Sequence, residues 1–245
     1  MTADFSGLAQ AYADNRIGYS NELYETIAAY GVKPGASVID VGCGTGIASA
    51  AFANNGFPVT GVDSSAAMLA KARAALPQAA WEVSPAERLP FPAERFDLAI
   101  SAQAFHWFDR AAALEEILRV LKSRGIVAIW WKTLMREDPM RQLRDEVVRE
   151  LGSDPPASGL PGGFREFYAA RFAEHALRVL PWRTTMTVDR FIGYERSRCN
   201  LRRSLGAQAD EYFARLETRL RERYPGSDSV IPLAYLQYLY LGKKP

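Results

Sequence analysis

Short apolar runs and amphipathic stretches alternate through the first half of the chain, in the order that builds a parallel sheet with crossover helices. Ser37 to Val41, the run ending at Val62, Ala80 to Val83, Phe96 to Ser101 and Gly125 to Trp131 read as five strands. A helix opens at Ile47, and a second runs from a cap at Ser64 or Ser65 through Met68, Leu69 and Ala72 to Leu76. A third starts at an Asp109 cap and places Leu114, Ile117, Leu118 and Leu121 on one face. Ahead of these, Asn21 to Tyr30 reads as a helix with Leu23, Ile27 and Tyr30 inward.

The second half follows a different pattern. Glu137 to Leu151 is amphipathic and charged, Asp154 to Gly163 is a loop by its prolines and glycines, and Phe164 to Glu174 is helical. Leu177 to Val188 reads as a sixth strand made irregular by Pro181, helices cover Arg190 to Leu205 and Gln208 to Tyr224, and Val230 to Leu241 is a last strand. Residues 133–172 and 189–224 are thus expected to form cap elements within one domain of 1–245.

Composition narrows the field. Thirty Lys and Arg against 28 Asp and Glu leave a net charge of +2, with no long basic run to suggest nucleic acid. Cys43 and Cys199 make neither a disulfide framework nor, with the two histidines, a metal-ligand spacing, so no metal is expected. No apolar stretch approaches a membrane span and no leader is evident, which sets the expectation of a cytoplasmic protein without a membrane partner.

The chemistry concentrates in Val38-Ile-Asp-Val-Gly-Cys-Gly-Thr-Gly46, followed about 20 residues on by Asp63 at the end of the next strand. Glycines let the backbone turn tightly beside a ligand, and a strand-terminal carboxylate accepts hydrogen bonds from both hydroxyls of a ribose. The dinucleotide fingerprint needs a third glycine where this chain has Ile47, and no phosphate-binding G-x-x-x-x-G-K-[S/T] occurs. Asp40 beside the turn would repel a pyrophosphate and suits an ammonium group.

This segment resembles motif I of the class I S-adenosylmethionine (SAM)-dependent methyltransferases. The motif order matches from about Val38 to Trp131. Ala86-Glu-Arg-Leu-Pro-Phe91 resembles the family's adenine-side loop, and Phe96 to Ile100 with Gln103-Ala-Phe-His-Trp-Phe108 resembles motif IV of the small-molecule branch that includes trans-aconitate methyltransferases. Ser123-Arg124-Gly125 departs from the Pro-Gly-Gly of many relatives, at a turn away from the cofactor. The resemblance implies a Rossmann-like seven-stranded sheet, parallel with an antiparallel last strand, helices on both faces and a helical cap over the active site.

Applied residue by residue, it implies SAM contacts at Asp40, Gly42, Cys43, Gly44, Asp63, Ser64, Ala86, Glu87 and Gln103. Met68 either covers the adenine or fills the core. The segment Phe5 to Tyr19 resembles the family's lid, in which Arg16 pairs with the cofactor carboxylate and Tyr12 or Tyr19 closes over the methyl group. His106 is the candidate general base, or else a pocket wall with Trp107 and Phe108. Trp107, Trp131, Tyr194 and Arg198 are the acceptor-side candidates. If Arg198, Arg202 or Arg203 turns inward, an anionic acceptor is favoured.

The expected activity is methyl transfer to an oxygen, nitrogen or carbon of a small metabolite by a monomer or homodimer. Two alternatives stay open: a SAM-binding protein without turnover, and another SAM- or nucleoside-using transferase on the same fold.

Overall fold

The computed structural model describes residues 14–156, 162–226 and 228–245. Its strands are β1 (Val38–Val41), β2 (Val59–Asp63), β3 (Ala80–Val83), β4 (Phe96–Ala102), β5 (Leu121–Leu134), β6 (His175–Thr187) and β7 (Val230–Lys243). Its helices are α1 (Asn21–Ala29), α2 (Ile47–Ala53), α3 (Ala66–Ala75), α4 (Arg110–Val120), α5 (Pro139–Glu150), α6 (Phe164–Ala169), α7 (Val188–Arg196), α8 (Cys199–Leu205) and α9 (Ala209–Arg223). The strands form one sheet in the order β3-β2-β1-β4-β5-β7-β6. β1 to β5 are parallel, and β7 lies antiparallel between β5 and β6. This is the sheet the alternation and the resemblance call for. No helix among the described residues is long and apolar enough to cross a membrane.

β1 is buried at every position, which explains why it reads as an unbroken apolar run rather than an alternation. Val38 packs with Leu23, Ile27 and Phe52 of α1 and α2. Ile39 and Val41 pack with Leu114 and Ile117 of α4 on the opposite face. A further core lies above the sheet's end, where α5, α7, α8 and α9 meet around Met140, Val147, Phe191, Leu201, Tyr212 and Leu216.

That layer is the cap, but it is not assembled as the sequence pattern suggests. α5 belongs to it, whereas α6 and Phe172 pack on the sheet face beside α4. The aromatic rings decide this: Phe164 and Tyr168 lie edge-on to Tyr240 of β7 at 4.8 and 5.5 Å, and the Tyr168 hydroxyl donates to the Val127 carbonyl at 3.2 Å. Of the described part of the first expected cap element, Leu134 to Ser153 join this layer and α6 with Phe172 does not. Part of the Pro/Gly loop, residues 157–161, lies outside the described residues.

Two boundaries and one expected irregularity also differ. β5 begins at Leu121, which leaves the helix to pair with Phe96. The expected helix from Arg190 to Leu205 breaks at Ser197, whose hydroxyl donates to the Tyr194 carbonyl at 2.7 Å and so competes with helical bonding. Pro181 causes no irregularity. It pairs in unbroken register with Leu236, because β6 is an outer strand where a missing N–H faces away from the ladder.

Candidate active site

A cleft opens at the C-terminal ends of β1, β2, β4 and β5, where the strand order reverses between β1 and β4. The turn after β1 carries Gly42, Gly44 and Gly46 at φ of 73°, 55° and 80°. Gly42 is demanded by packing as well as by its backbone. A Cβ there would lie 2.6 Å from the Ala104 Cβ and 2.7 Å from the Phe108 ring. The same position at Gly44 meets open space, so that side of the turn is bare towards the cleft.

Asp63 ties this turn to β2. Its Oδ2 accepts from Gly44 N at 2.9 Å and its Oδ1 from Ser65 N at 2.8 Å. The two bonds fix the carboxylate plane and leave each oxygen a second lone pair. Burial pushes the carboxyl above its ordinary range in spite of both N–H donors. Ser65, rather than Ser64, caps α3 by accepting from Met68 N at 3.3 Å. Ser64 is left exposed on the cleft wall, and Met68 both lines the cleft and packs as a buried residue.

Asp40 does not line the cleft; it is enclosed beneath the turn. Its Oδ2 accepts from the Ser49 hydroxyl at 2.6 Å, and Oδ1 is buried with no partner among the described residues. Burial, opposed by the Ser49 bond and aided by the nearby Asp63 charge, pushes its pKa up to about 7. A carboxyl raised in the folded state stabilises the fold most below its unfolded value of 3.8, and that contribution is lost as the pH climbs to about 7. Thermal melts of Asp40→Asn without ligand should therefore gain on wild type between about pH 4 and about pH 7 and then run parallel. A difference that stays constant over that window would contradict the buried-acid assignment.

Ser84, Pro85, Ala86 and Glu87 form the wall beyond β3. The Glu87 carboxylate accepts from Asp109 N at 2.9 Å, which joins this loop to the start of α4. Gln103 holds a left-handed backbone at φ 56°, costly for a non-glycine residue, beyond β4. Its side-chain Nε2 donates to the Lys132 carbonyl at 3.0 Å, so the amide braces the loop while facing the cleft. Cys43 lines the cleft with its thiol buried and pushed well up by that burial.

The described part of the N-terminal segment crosses this opening. Arg16, Ile17 and Tyr19 line it. Ser20 N donates to Gln237 Oε1 at 3.0 Å and Gln237 Nε2 donates back to the Ser20 hydroxyl at 2.6 Å, which anchors the segment to β7. Arg16 lies over the Tyr194 ring at 4.6 Å, and Arg190 donates to the Arg16 carbonyl at 2.9 Å. Tyr12 lies outside the described residues.

The expected acceptor side is rearranged. Trp107 lines the cleft with Phe108, and the Arg203 guanidinium lies 5.4 Å above the Trp107 ring. Trp131 does not reach the cleft: β-strand alternation sends its ring into the α4 and α6 face, where Nε1 donates to His106 Nδ1 at 3.0 Å. Tyr194 is buried in the cap core. Arg198 donates to the fully buried Glu195 at 2.9 Å and Arg202 to Asp210 at 3.2 Å.

His106 also lies off the cleft wall. An indole N–H only donates, so Nδ1 is the accepting nitrogen and the proton of the neutral ring sits on Nε2. Burial, with Arg110 adding repulsion, lowers its pKa to about 4. The ring is neutral in ordinary conditions, with its one basic lone pair already engaged.

A charged cleft residue had no place in the sequence reading. Lys132, the last residue of the unbroken buried run of β5, lines the cleft with its ammonium almost wholly enclosed. A lone lysine at the C-terminal end of a central parallel strand is the signal that could have marked it. Among the described residues, no group of three or more His, Cys, Asp or Glu is placed to hold a metal ion.

Residues 39–129 match the family model described as a methyltransferase domain. An uncharacterized methyltransferase of Mycobacterium tuberculosis (strain ATCC 25618 / H37Rv) is 30% identical over 198 residues, covering 81% of this chain and 77% of the relative. A trans-aconitate 2-methyltransferase of Azoarcus sp. (strain BH72) is 33% identical over 181 residues, 71% of this chain and 69% of the relative. A solved structure from Anaeromyxobacter dehalogenans, provisionally assigned as a type II methyltransferase, superposes with a TM-score of 0.70 at 25% identity over 93% of this chain and 97% of its own. By these matches the chain belongs to the SAM-dependent methyltransferase family.

Proposed function

We propose that this enzyme methylates an oxygen, or else a nitrogen or carbon, of a small metabolite, with an anionic one favoured. The carrying observation is the Asp63 carboxylate, fixed by two backbone N–H groups with a lone pair left on each oxygen, beside the open face of Gly44. That geometry fits the two hydroxyls of a ribose. The wall of Ser84 to Glu87 with Met68 fits the base, whereas Asp40, enclosed beneath the turn, supports the turn from below. Arg16 fits the cofactor carboxylate.

Bound SAM supplies a methyl group already activated on a sulfonium. The protein's part is then to hold the acceptor in line and keep water out, and orientation of that kind is worth up to about 7–11 kcal/mol. Tyr19, Trp107 and Phe108 wall the cleft for that purpose. A carboxylate acceptor needs no base, which agrees with His106 having its basic nitrogen occupied. The Azoarcus relative, named for a polycarboxylate acceptor, supports the anionic reading.

Incubation with methyl-labelled SAM and a metabolite pool tests this. Label is expected in a small acidic product. Binding of S-adenosylhomocysteine with no labelled product would favour a protein without turnover. Label retained in methylthioadenosine would mark transfer of the aminocarboxypropyl group of SAM instead.

A further inference from the structure

Lys132 is 8% exposed, and its Nζ donates to the carbonyl oxygens of Ile17 and Gly18 at 2.6 and 2.7 Å. The rings of Tyr19, Trp182 and Tyr235 stand 4.8, 5.3 and 5.6 Å from that nitrogen. Among the described residues no carboxylate pairs with it. The charges that bear on it are Arg16 and Arg190, both cationic. Burial first, and these guanidiniums second, hold its pKa well below the usual lysine range. An enclosed cation with like-charged neighbours is unfavourable unless an anion meets it. Neutral glutamine or asparagine could donate to the same two carbonyls without that cost, so the backbone bonds alone do not account for a lysine.

We propose that Lys132, with Arg16 on the same cleft wall, forms a carboxylate-binding site, filled either by the α-carboxylate of the cofactor or by a carboxylate of the acceptor. This rests on the methyltransferase reading of the cleft. The two oxygens of a carboxylate match one ammonium and one guanidinium, and the third N–H of Nζ remains after Ile17 and Gly18 are served. The three rings add cation–π support to the charged form of the lysine.

Calorimetry compares two pairs of probes at one salt concentration: S-adenosylhomocysteine against its carboxamide, and, with S-adenosylhomocysteine bound, succinate against succinamide. Wild type should prefer the acid in at least one pair by about 10- to 100-fold. Lys132→Met should reduce that preference to about twofold or less, and Lys132→Arg should retain most of it. The pair whose preference collapses identifies the source of the carboxylate. Loosening of residues 17–18 in the methionine variant would weaken acid and amide alike and leave their ratio unchanged. A wild type with no acid preference in either pair, or a methionine variant that keeps the wild-type ratio in both, overturns the Lys132 site. Failure of folded wild type to bind S-adenosylhomocysteine at all would instead remove the methyltransferase reading beneath it, and the Lys132 site with it.

Discussion

Replacing Asp63 by alanine is expected to lower the affinity for S-adenosylhomocysteine by about two to four powers of ten, with the fold retained. The figure follows from two charge-assisted hydrogen bonds to the ribose, each worth roughly 1.5–3 kcal/mol. The structure adds a second consequence. Gly44 N and Ser65 N both donate to this carboxylate, so alanine also strips the acceptor that ties the motif turn to β2. Asparagine should rescue little, because its amide can accept through only one atom and would turn N–H groups towards Gly44 or Ser65. Calorimetry gives the affinity and a melt without ligand gives the structural part. Unchanged affinity in the alanine variant would remove the ribose assignment.

The second large effect lies in the cap. Glu195 is fully enclosed; its Oε2 accepts from Arg198 Nη1 at 2.9 Å and from the Tyr212 hydroxyl at 3.5 Å, and is ion-paired with Arg144, whose Nε lies 3.1 Å away. Deleting one partner of a buried ion pair leaves the other charge uncompensated, at a cost of about 3–5 kcal/mol. Glu195→Ala should therefore lower the melting temperature by roughly 6–20 °C for a protein of this size. Arg144 is the residue left stranded, since its side chain is 13% exposed and Arg198 is nearer to solvent. The double variant Arg144→Met, Glu195→Met should be far milder, because a buried pair replaced as a whole by apolar side chains is often neutral. Urea titration of the three proteins checks the comparison. A single variant within about 1 kcal/mol of wild type would show that the pair is not energetically enclosed.

This pairing also changes what the acceptor end can be. Read as a string, Phe191 to Arg203 is the densest mixture of aromatic and cationic residues in the chain. In the structure, Tyr194 packs in the cap core, Arg198 is taken by Glu195 and Arg202 by Asp210, while Arg203 covers Trp107. Charge density along a helix says nothing of which guanidinium finds a carboxylate at a distant position. Arg144 and Glu195 are 51 residues apart in the numbering. The positive charge facing the cleft comes instead from Lys132 and Arg16.

The features that could be read without coordinates are those set by neighbours along the chain. The apolar runs of β1 and β4, the Asp109 cap of α4, the glycine turn and the strand-terminal Asp63 all follow from local backbone preference and side-chain period. The reversal of strand order that makes the cleft follows from the parallel alternation itself. By itself the sequence also determines that Trp131 and Lys132 point to opposite sides of β5, since strand residues alternate. Which of the two meets the cleft was decided only when α4 and α6 covered one side and residues 16–19 crossed the other. The same holds for His106, whose proton sits where Trp131 leaves room for it, and for α6, drawn from the cap to the sheet by the ring of Tyr240. Local periods are properties of the string, whereas a partner for a buried charge or ring exists only after layers distant in sequence have packed.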